Sequence, residues 1–368
     1  MKKNIFLIAN RTNSLWLFRK ELILKLIKEN YKVHLIASKD QFHKNFKNFD
    51  VKFFEVKSNF NSLNPITLLL IFFRILNYAL KHKPDIIQSY TIVPNIISPL
   101  IAFLVKSKSI CMITGLGYSF HSGNMIIKFI SLLSYKFSML FCDGLIFTNK
   151  FDFRIFSKYN LIKNKKLITT NAAGINLKNF LINFKKKKIN TKKKIKFLFV
   201  GRYTKTKGIY DAIKVFTKIK FNNKELLLLG ENDKFTPDSV IIKNLINKNK
   251  YIKKLKFTNK INKFLKSADL LIFTSYGEGM PTVVMESFAS GLPCAVYDVA
   301  GCQDIIFNQK TGIKVGLRQH DKMAKYIFDL LSNEYKYNLI RKNIINYSKN
   351  NFCREKINNN ILMFYKKI

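Results

Sequence analysis

Two carboxylates, Glu278 and Glu286, stand eight positions apart around a Gly279-Met280-Pro281 turn in TSYGEGMPTVVMESFASGLPCAVYD, residues 274–298. Ionised carboxylates only accept hydrogen bonds, so a pair serving one pocket suits paired alcohol groups, as on a ribose or a hexose. The amides of Gly279, Met280 and Thr282 can receive oxygens. A second stretch, FLFVGRYTKTKGIYDAIKVF, places Gly201 at the end of an apolar run, Arg202 directly after it, and Lys207-Gly208 at the opening of a helical pattern. Helix N-termini carry unbonded N–H groups and a partial positive charge, so a Lys there suits phosphate, and Arg adds a planar fork for bidentate contact. Each stretch alone also has an ordinary explanation. In so lysine-rich a chain, Gly-Arg before Lys-Gly arises by accident, and two Glu at this spacing can be a solvated helix residue and a partner of the helix dipole. The Gly-Met-Pro between the acids tips the balance toward a binding site.

Such groups need strand-to-helix junctions to hold them. Apolar runs KNIFLIA, KVHLIAS, VKFFEV, PDIIQSY, SICMIT and DGLIFTN alternate with helical segments, beginning with a helix over 15–30 that has Leu15, Phe18, Leu22 and Leu26 on one stripe. That alternation predicts βαβ units around a parallel sheet. NFKKKKINTKKKIK, residues 183–196, has lysines without apolar period and reads as a solvated linker. After it the alternation resumes with IKFLFVG, ELLLLG, KLKFT, DLLIFTS and PCAVYD, with helices at 208–219 and 281–290 between. A chain of 368 residues is the size of two domains. The expected class is α/β, with two doubly wound domains whose strand ends face a central cleft. The boundaries are 1–188, 189–350, and a C-terminal helix at 351–368 returning toward the N-terminal domain.

At these residues the chain resembles the retaining glycosyltransferases of family 4, which have the GT-B fold of two Rossmann-like domains. EGMPTVVME looks like that family's two glutamates with seven residues between them, followed by the helix and strand of ESFASGLP. VGRYTKTKG is similar to its Gly-Arg…Lys-Gly donor diphosphate site, and NKINKFLKSADLLIFTS and VAGCQDII resemble the flanking segments, with Asp304 where a Glu is more usual. The resemblance covers nearly the whole chain. It implies that Arg202 and Lys207 hold the diphosphate of a sugar nucleotide and offset charge on the leaving group. It further implies that Glu286 binds the ribose hydroxyls, and that Glu278 binds the donor sugar near its reacting carbon, beside Gly201, Gly279, Met280 and Thr282. Retention is implied by the family only. No Asp-x-Asp pair falls at a strand end, so no cofactor and no metal are expected.

The acceptor side departs from the family. ANRTNSLWLFRKEL lacks the common Gly-Gly after the first strand; Asn10, Arg11 and Ser14 take that place as candidate contacts for phosphate or acceptor. Thr114, Gly115, Leu116 and Gly117 could admit a ligand close to the backbone. His121 is the candidate for the family's catalytic His, but it lies several residues late. YTIVPN, TGLGYSF and AAGINLKNF resemble a bacterial group within the family that adds N-acetylhexosamine or hexose to polyprenyl-diphosphate-linked saccharides. The implied function is transfer from a UDP-sugar donor to such a lipid-linked saccharide. Transfer to a lipopolysaccharide core or capsule precursor is the alternative. The helix pattern NMIIKFISLLSYKFSMLF puts Ile126, Ile130, Leu133, Phe137 and Leu140 on one stripe. A lipid-facing stripe would fit that substrate; packing on its own sheet is the preferred reading.

The net charge of +43, from 65 basic and 22 acidic residues, raises a rival class, nucleic-acid binding. The excess is spread evenly, +23 over residues 1–190 and +20 over the rest, so no dedicated basic module exists and no nucleic-acid partner is expected. A basic surface also favours an anionic membrane face, each nearby Lys contributing roughly 1 kcal/mol. Five scattered cysteines show no metal-ligand spacing and suit a reducing compartment. The opening apolar run IFLIA is too short for a secretory leader. PITLLLIFFRILNYAL is broken by Arg74, and TIVPNIISPLIAFLV holds two prolines, so neither supplies the ~18–20 unbroken apolar residues of a membrane span. The expected location is cytoplasmic, peripheral on the inner membrane face.

Overall fold

The computed structural model describes residues 2–58, 60, 64–116, 125–190, 192–231, 239–247, 249–255, 258 and 260–368. The chain divides into two compact units, Met1–Ala173 with Glu355–Ile368, and Gly174–Arg354. Residues 174–188 thus belong to the second unit, and the division falls ahead of the lysine run.

In the first unit the strands are β1 (Asn4–Arg11), β2 (Lys32–Ser38), β3 (Val51–Glu55), β4 (Ile86–Tyr90), β5 (Lys108–Ile113), β6 (Gly144–Phe147) and β7 (Lys166–Thr169). They form a parallel sheet in the order β3-β2-β1-β4-β5-β6-β7. The side-chain period of two divides β1 between two cores. Ile5, Leu7 and Ala9 pack with Leu15, Leu22 and Leu26 of helix Thr12–Lys28. Phe6 and Ile8 pack with Ile71, Ile75 and Ala79 of helix Pro65–His82 and with Val93, Ile97 and Ile101 of helix Ile92–Leu104. Phe18, placed on the first helix's stripe from sequence, is 38% exposed instead. The C-terminal helix Arg354–Lys367 completes this unit, adding Ile357, Ile361, Leu362, Phe364 and Tyr365 to the core around β1. Tyr365 donates its hydroxyl to the Gln88 side chain on β4.

The second unit repeats the plan with β8 (Ile195–Val200), β9 (Lys224–Leu229), β10 (Ile252–Leu255), β11 (Leu270–Phe273), β12 (Cys294–Tyr297) and β13 (Ile313–Val315), ordered β10-β9-β8-β11-β12-β13 and all parallel. Both units are therefore Rossmann-like, doubly wound sheets. In each, the winding direction reverses once, between β1 and β4 and between β8 and β11. Ligands of such sheets bind outside the carboxyl ends of the strands at that reversal.

Helix Met125–Met139 corrects the preferred reading of its stripe. Ile126, Ile130, Leu133, Phe137 and Leu140 are all more than half exposed, while Ser131, Tyr135, Ser138 and Met139 face the core. The buried face of this helix is built from small and mixed residues, and the large apolar ones point outward.

Candidate active site

The reversal between β8 and β11 gathers the two sequence stretches into one place. β8 ends at Val200, and Gly201 and the exposed Arg202 follow at its carboxyl tip. A single 3-10 turn, Lys205–Lys207, comes next, capped by Thr204, whose Oγ1 accepts from the Lys207 amide at 3.3 Å. Gly208 closes the turn with φ +71°. A Cβ there would lie 1.9 Å from the Thr274 carbonyl oxygen, so only glycine lets the turn press against the end of β11. Thr274 Oγ1 donates to the Gly208 carbonyl at 2.7 Å, and the Tyr276 amide donates to the Thr206 carbonyl at 3.0 Å. The two loops are laced together before any side chain of the site is considered.

On that frame Lys207 Nζ lies 2.7 Å from Glu278 Oε1, with the side chains 30% and 15% exposed. The lysine and the glutamate are one charge-compensated unit that still opens to solvent. The chain at 278–279 is supported from the other side by Gly301, φ +78°, where a Cβ would meet the Gly279 and Glu278 carbonyl oxygens at 2.6 and 2.9 Å. Gly279, Met280 and Thr282 are half-buried, and Pro281 precedes helix Thr282–Ala289. The Val284 and Met285 amides donate to the Pro281 carbonyl at 3.1 and 3.3 Å, while the Thr282 and Val283 amides ahead of them reach no carbonyl of the helix itself.

Glu286 sits in the helix's second turn. Its neighbourhood is crowded with protein although part of the side chain still meets solvent. Burial pushes its carboxyl up to about 7, and the nearby Arg354 guanidinium draws it partly back. Arg354 itself is held by its Nε and Nη2 donating to the Gly174 carbonyl at 3.3 and 3.1 Å. No motif pointed to Arg354, which enters through the chain's return after helix Glu334–Asn351.

Of the first-unit candidates, Asn10, Arg11 and Ser14 lie at the other reversal, at the end of β1. Asn10 Oδ1 accepts from Thr91 Oγ1 at 2.7 Å, tying the ends of β1 and β4. The start of helix Thr12–Lys28 already holds an anion of the protein's own: Asp40 accepts from Thr12 Oγ1 at 2.6 Å and from the Asn13 amide at 2.8 Å. That carboxylate takes up the Asn13 amide in the first turn of the helix. Ser14 donates to the Arg11 carbonyl at 3.0 Å, and the Arg11 side chain is exposed. Asp40 was missed from sequence because it lies after β2, far from the helix it caps. Thr114 and Gly115, φ +121°, follow β5 and are half-buried. Gly117 and His121 lie outside the described residues.

Two family models match the chain: one described as glycosyl transferase 4-like over residues 4–149, and one as glycosyl transferases group 1 over residues 182–351. The chain belongs to the family 4 glycosyltransferases. Among curated relatives, the enzyme is 25% identical over 333 residues to the N,N'-diacetylbacillosaminyl-diphospho-undecaprenol alpha-1,3-N-acetylgalactosaminyltransferase of Campylobacter jejuni, covering 87% of each chain. It is 29% identical over 98 residues to the UDP-Gal:alpha-D-GlcNAc-diphosphoundecaprenol alpha-1,3-galactosyltransferase of Escherichia coli, covering 27% of this chain and 25% of that one. Among solved structures, Anabaena Alr3699/HepE in complex with UDP superposes with a TM-score of 0.81 at 14% identity over the whole of both chains, which shows the shared GT-B fold.

Proposed function

We propose that the enzyme moves a hexose or N-acetylhexosamine from a UDP-sugar to a polyprenyl-diphosphate-linked saccharide, with retention at the anomeric carbon. The Lys207–Glu278 unit at the β8/β11 reversal carries this reading. Arg202 and Lys207 face the donor diphosphate, Glu278 the sugar ring, and Glu286 the ribose hydroxyls. In the reaction the bond from the anomeric carbon to the diphosphate oxygen breaks, its electron pair leaves on UDP, and an acceptor hydroxyl oxygen bonds to the same face of that carbon. The hydroxyl proton passes to the departing diphosphate. Fixed cations beside the leaving group are the usual large electrostatic contribution, and we assign that role to Arg202 and Lys207 rather than to a metal. The relatives acting on diphosphoundecaprenol-linked sugars support the acceptor class. A screen of UDP-sugars against synthetic polyprenyl-diphosphate saccharides, with chelator present and products read by mass, tests it. Transfer only to lipopolysaccharide core or capsule precursors would redirect the acceptor assignment.

The same acceptor calls for docking at a membrane surface, and we place the enzyme on the inner face of the cytoplasmic membrane. Among the described residues no helix is long and apolar enough to cross a bilayer. Helix Met125–Met139 instead presents Ile126, Phe129, Ile130, Leu133 and Phe137 to solvent beside the exposed Lys136. An apolar face with flanking lysines is the makeup of an interfacial helix. In sedimentation with anionic vesicles at low salt, Ile130→Asp/Leu133→Asp is expected to lose at least tenfold in bound fraction while keeping turnover on a water-soluble acceptor. Unchanged binding in that variant would remove this helix from the docking surface.

A further inference from the structure

A hollow of about 390 Å³ opens beside the site in the second unit, within the ~300–1,000 Å³ range of small-molecule pockets and near its lower end. Among the described residues its lining includes Lys205, Lys214, Arg318 and His320, with the Tyr276 ring and Asp211. None of Arg202, Lys207, Glu278 or Glu286 lines it. The turn Lys205–Lys207 divides the two places: Lys207 goes to Glu278, and Lys205 goes to the hollow.

The charge balance inside it is unequal. The acid of the lining is already engaged. Asp211 Oδ2 accepts from Tyr276 Oη at 2.6 Å and from Tyr297 Oη at 2.9 Å, and its Oδ1 lies 3.0 Å from His320 Nε2. Burial works to raise the Asp211 carboxyl, but the hydroxyl bonds from Tyr276 and Tyr297, with the His320 ring beside it, outweigh it and hold the group below the usual carboxylate range. The cations are not engaged in the same way. Lys205, Lys214 and Arg318 have no carboxylate within ion-pair distance among the described residues, whereas Lys218, on the same helix as Lys214, pairs with Asp321 at 2.6 Å. Arg318 is steered inward by its Nε donating to Tyr276 Oη at 3.2 Å, with its guanidinium 5.7 Å from the centre of that ring. Three cations around a concave wall, with the local carboxylate already satisfied, make a site for a compact dianion.

We propose that this hollow binds a small phosphorylated metabolite, a phosphate monoester with a body no larger than a hexose, separately from the donor, and that its occupancy tunes donor binding. The coupling route is short. Lys205 and Lys207 share one turn, and Tyr276 is two residues from Glu278 and bonded through its amide to Thr206. An anion that draws Lys205 and Arg318 together restrains both loops that carry the Lys207–Glu278 unit, so donor and effector each strengthen the other's binding by the same factor.

The test is calorimetric titration of the full chain with inorganic phosphate and with glucose 6-phosphate, with and without saturating UDP. Saturable binding is expected in both conditions, tighter for the ester, with the donor dissociation constant lowered several-fold when the ester is bound. Lys214→Ala/Arg318→Ala should weaken phosphate binding at least tenfold. Lys2→Ala/Lys3→Ala, which removes equal charge elsewhere, should leave it unchanged. Absence of saturable binding, displacement by UDP, or an equal loss in the two double variants would overturn the site. Binding with an unmoved donor constant would overturn the coupling.

Discussion

Turnover of the Glu278→Gln enzyme falls by about 10²–10³-fold with the fold intact, the loss typical when one preorganised group is removed from where charge develops. Glutamine keeps the shape of the side chain but not its charge. Lys207, 2.7 Å away and 30% exposed, then loses its counter-ion and can turn fully to the donor diphosphate. Donor KM should therefore stay level or drop while kcat collapses, the pattern of an interaction made mainly in the transition state. Steady-state kinetics with a UDP-sugar, alongside a melting curve to confirm folding, measures both. Full activity in this variant would remove Glu278 from the donor pocket.

The second large effect is at Glu286, where stability and donor binding pull in opposite directions. In acid its carboxyl is neutral in folded and unfolded chains alike and costs nothing. As pH rises from the ordinary carboxyl value of 4.5 to about 7, the unfolded chain ionises while the buried group stays neutral, and the fold loses up to about 3 kcal/mol, a loss that is complete above that window. Glu286→Gln should therefore match the parent's melting temperature near pH 4, below both values, and exceed it at pH 8.5. Ribose hydroxyls, in contrast, donate to the ionised form, and hydrogen bonds to a charged group contribute about 1.5–3 kcal/mol. The parent should bind UDP more tightly as pH rises from 6 to 8. The variant should bind roughly 10- to 100-fold more weakly and lack that pH dependence. Melting curves that run parallel across the pH range, or UDP affinity that is equal in the two proteins, would exclude the role assigned to Glu286.

Sequence carried the strands with long apolar runs well and missed one edge of each sheet. Runs such as Ile5-Phe6-Leu7-Ile8 are buried on both faces of a parallel sheet, so their apolar character is continuous and legible. β7, Lys166–Thr169, and β13, Ile313–Val315, sit at the sheet edges with three or four residues and no long apolar run, and neither was anticipated. The pairing of Lys207 with Glu278 crosses 71 residues, and only the strand order brings the two together. The same holds for Asp40 at the first helix and for Arg354 beside Glu286. The outward stripe of helix Met125–Met139 was misread because periodicity reports that a helix has an apolar side, not which way that side points.

The interleaving of the two units has a consequence for synthesis. The chain enters the second unit at Gly174 and leaves it at Arg354, and these crossings lie side by side, with the Ile175 amide donating to the Phe352 carbonyl at 2.8 Å and the Arg354 amide to the Ile175 carbonyl at 3.1 Å. Ile361 and Tyr365, which close the core around β1, therefore emerge from the ribosome after the entire second unit. The half that is translated first must wait with an open flank, and the half that is translated second is the one that can mature ahead of it.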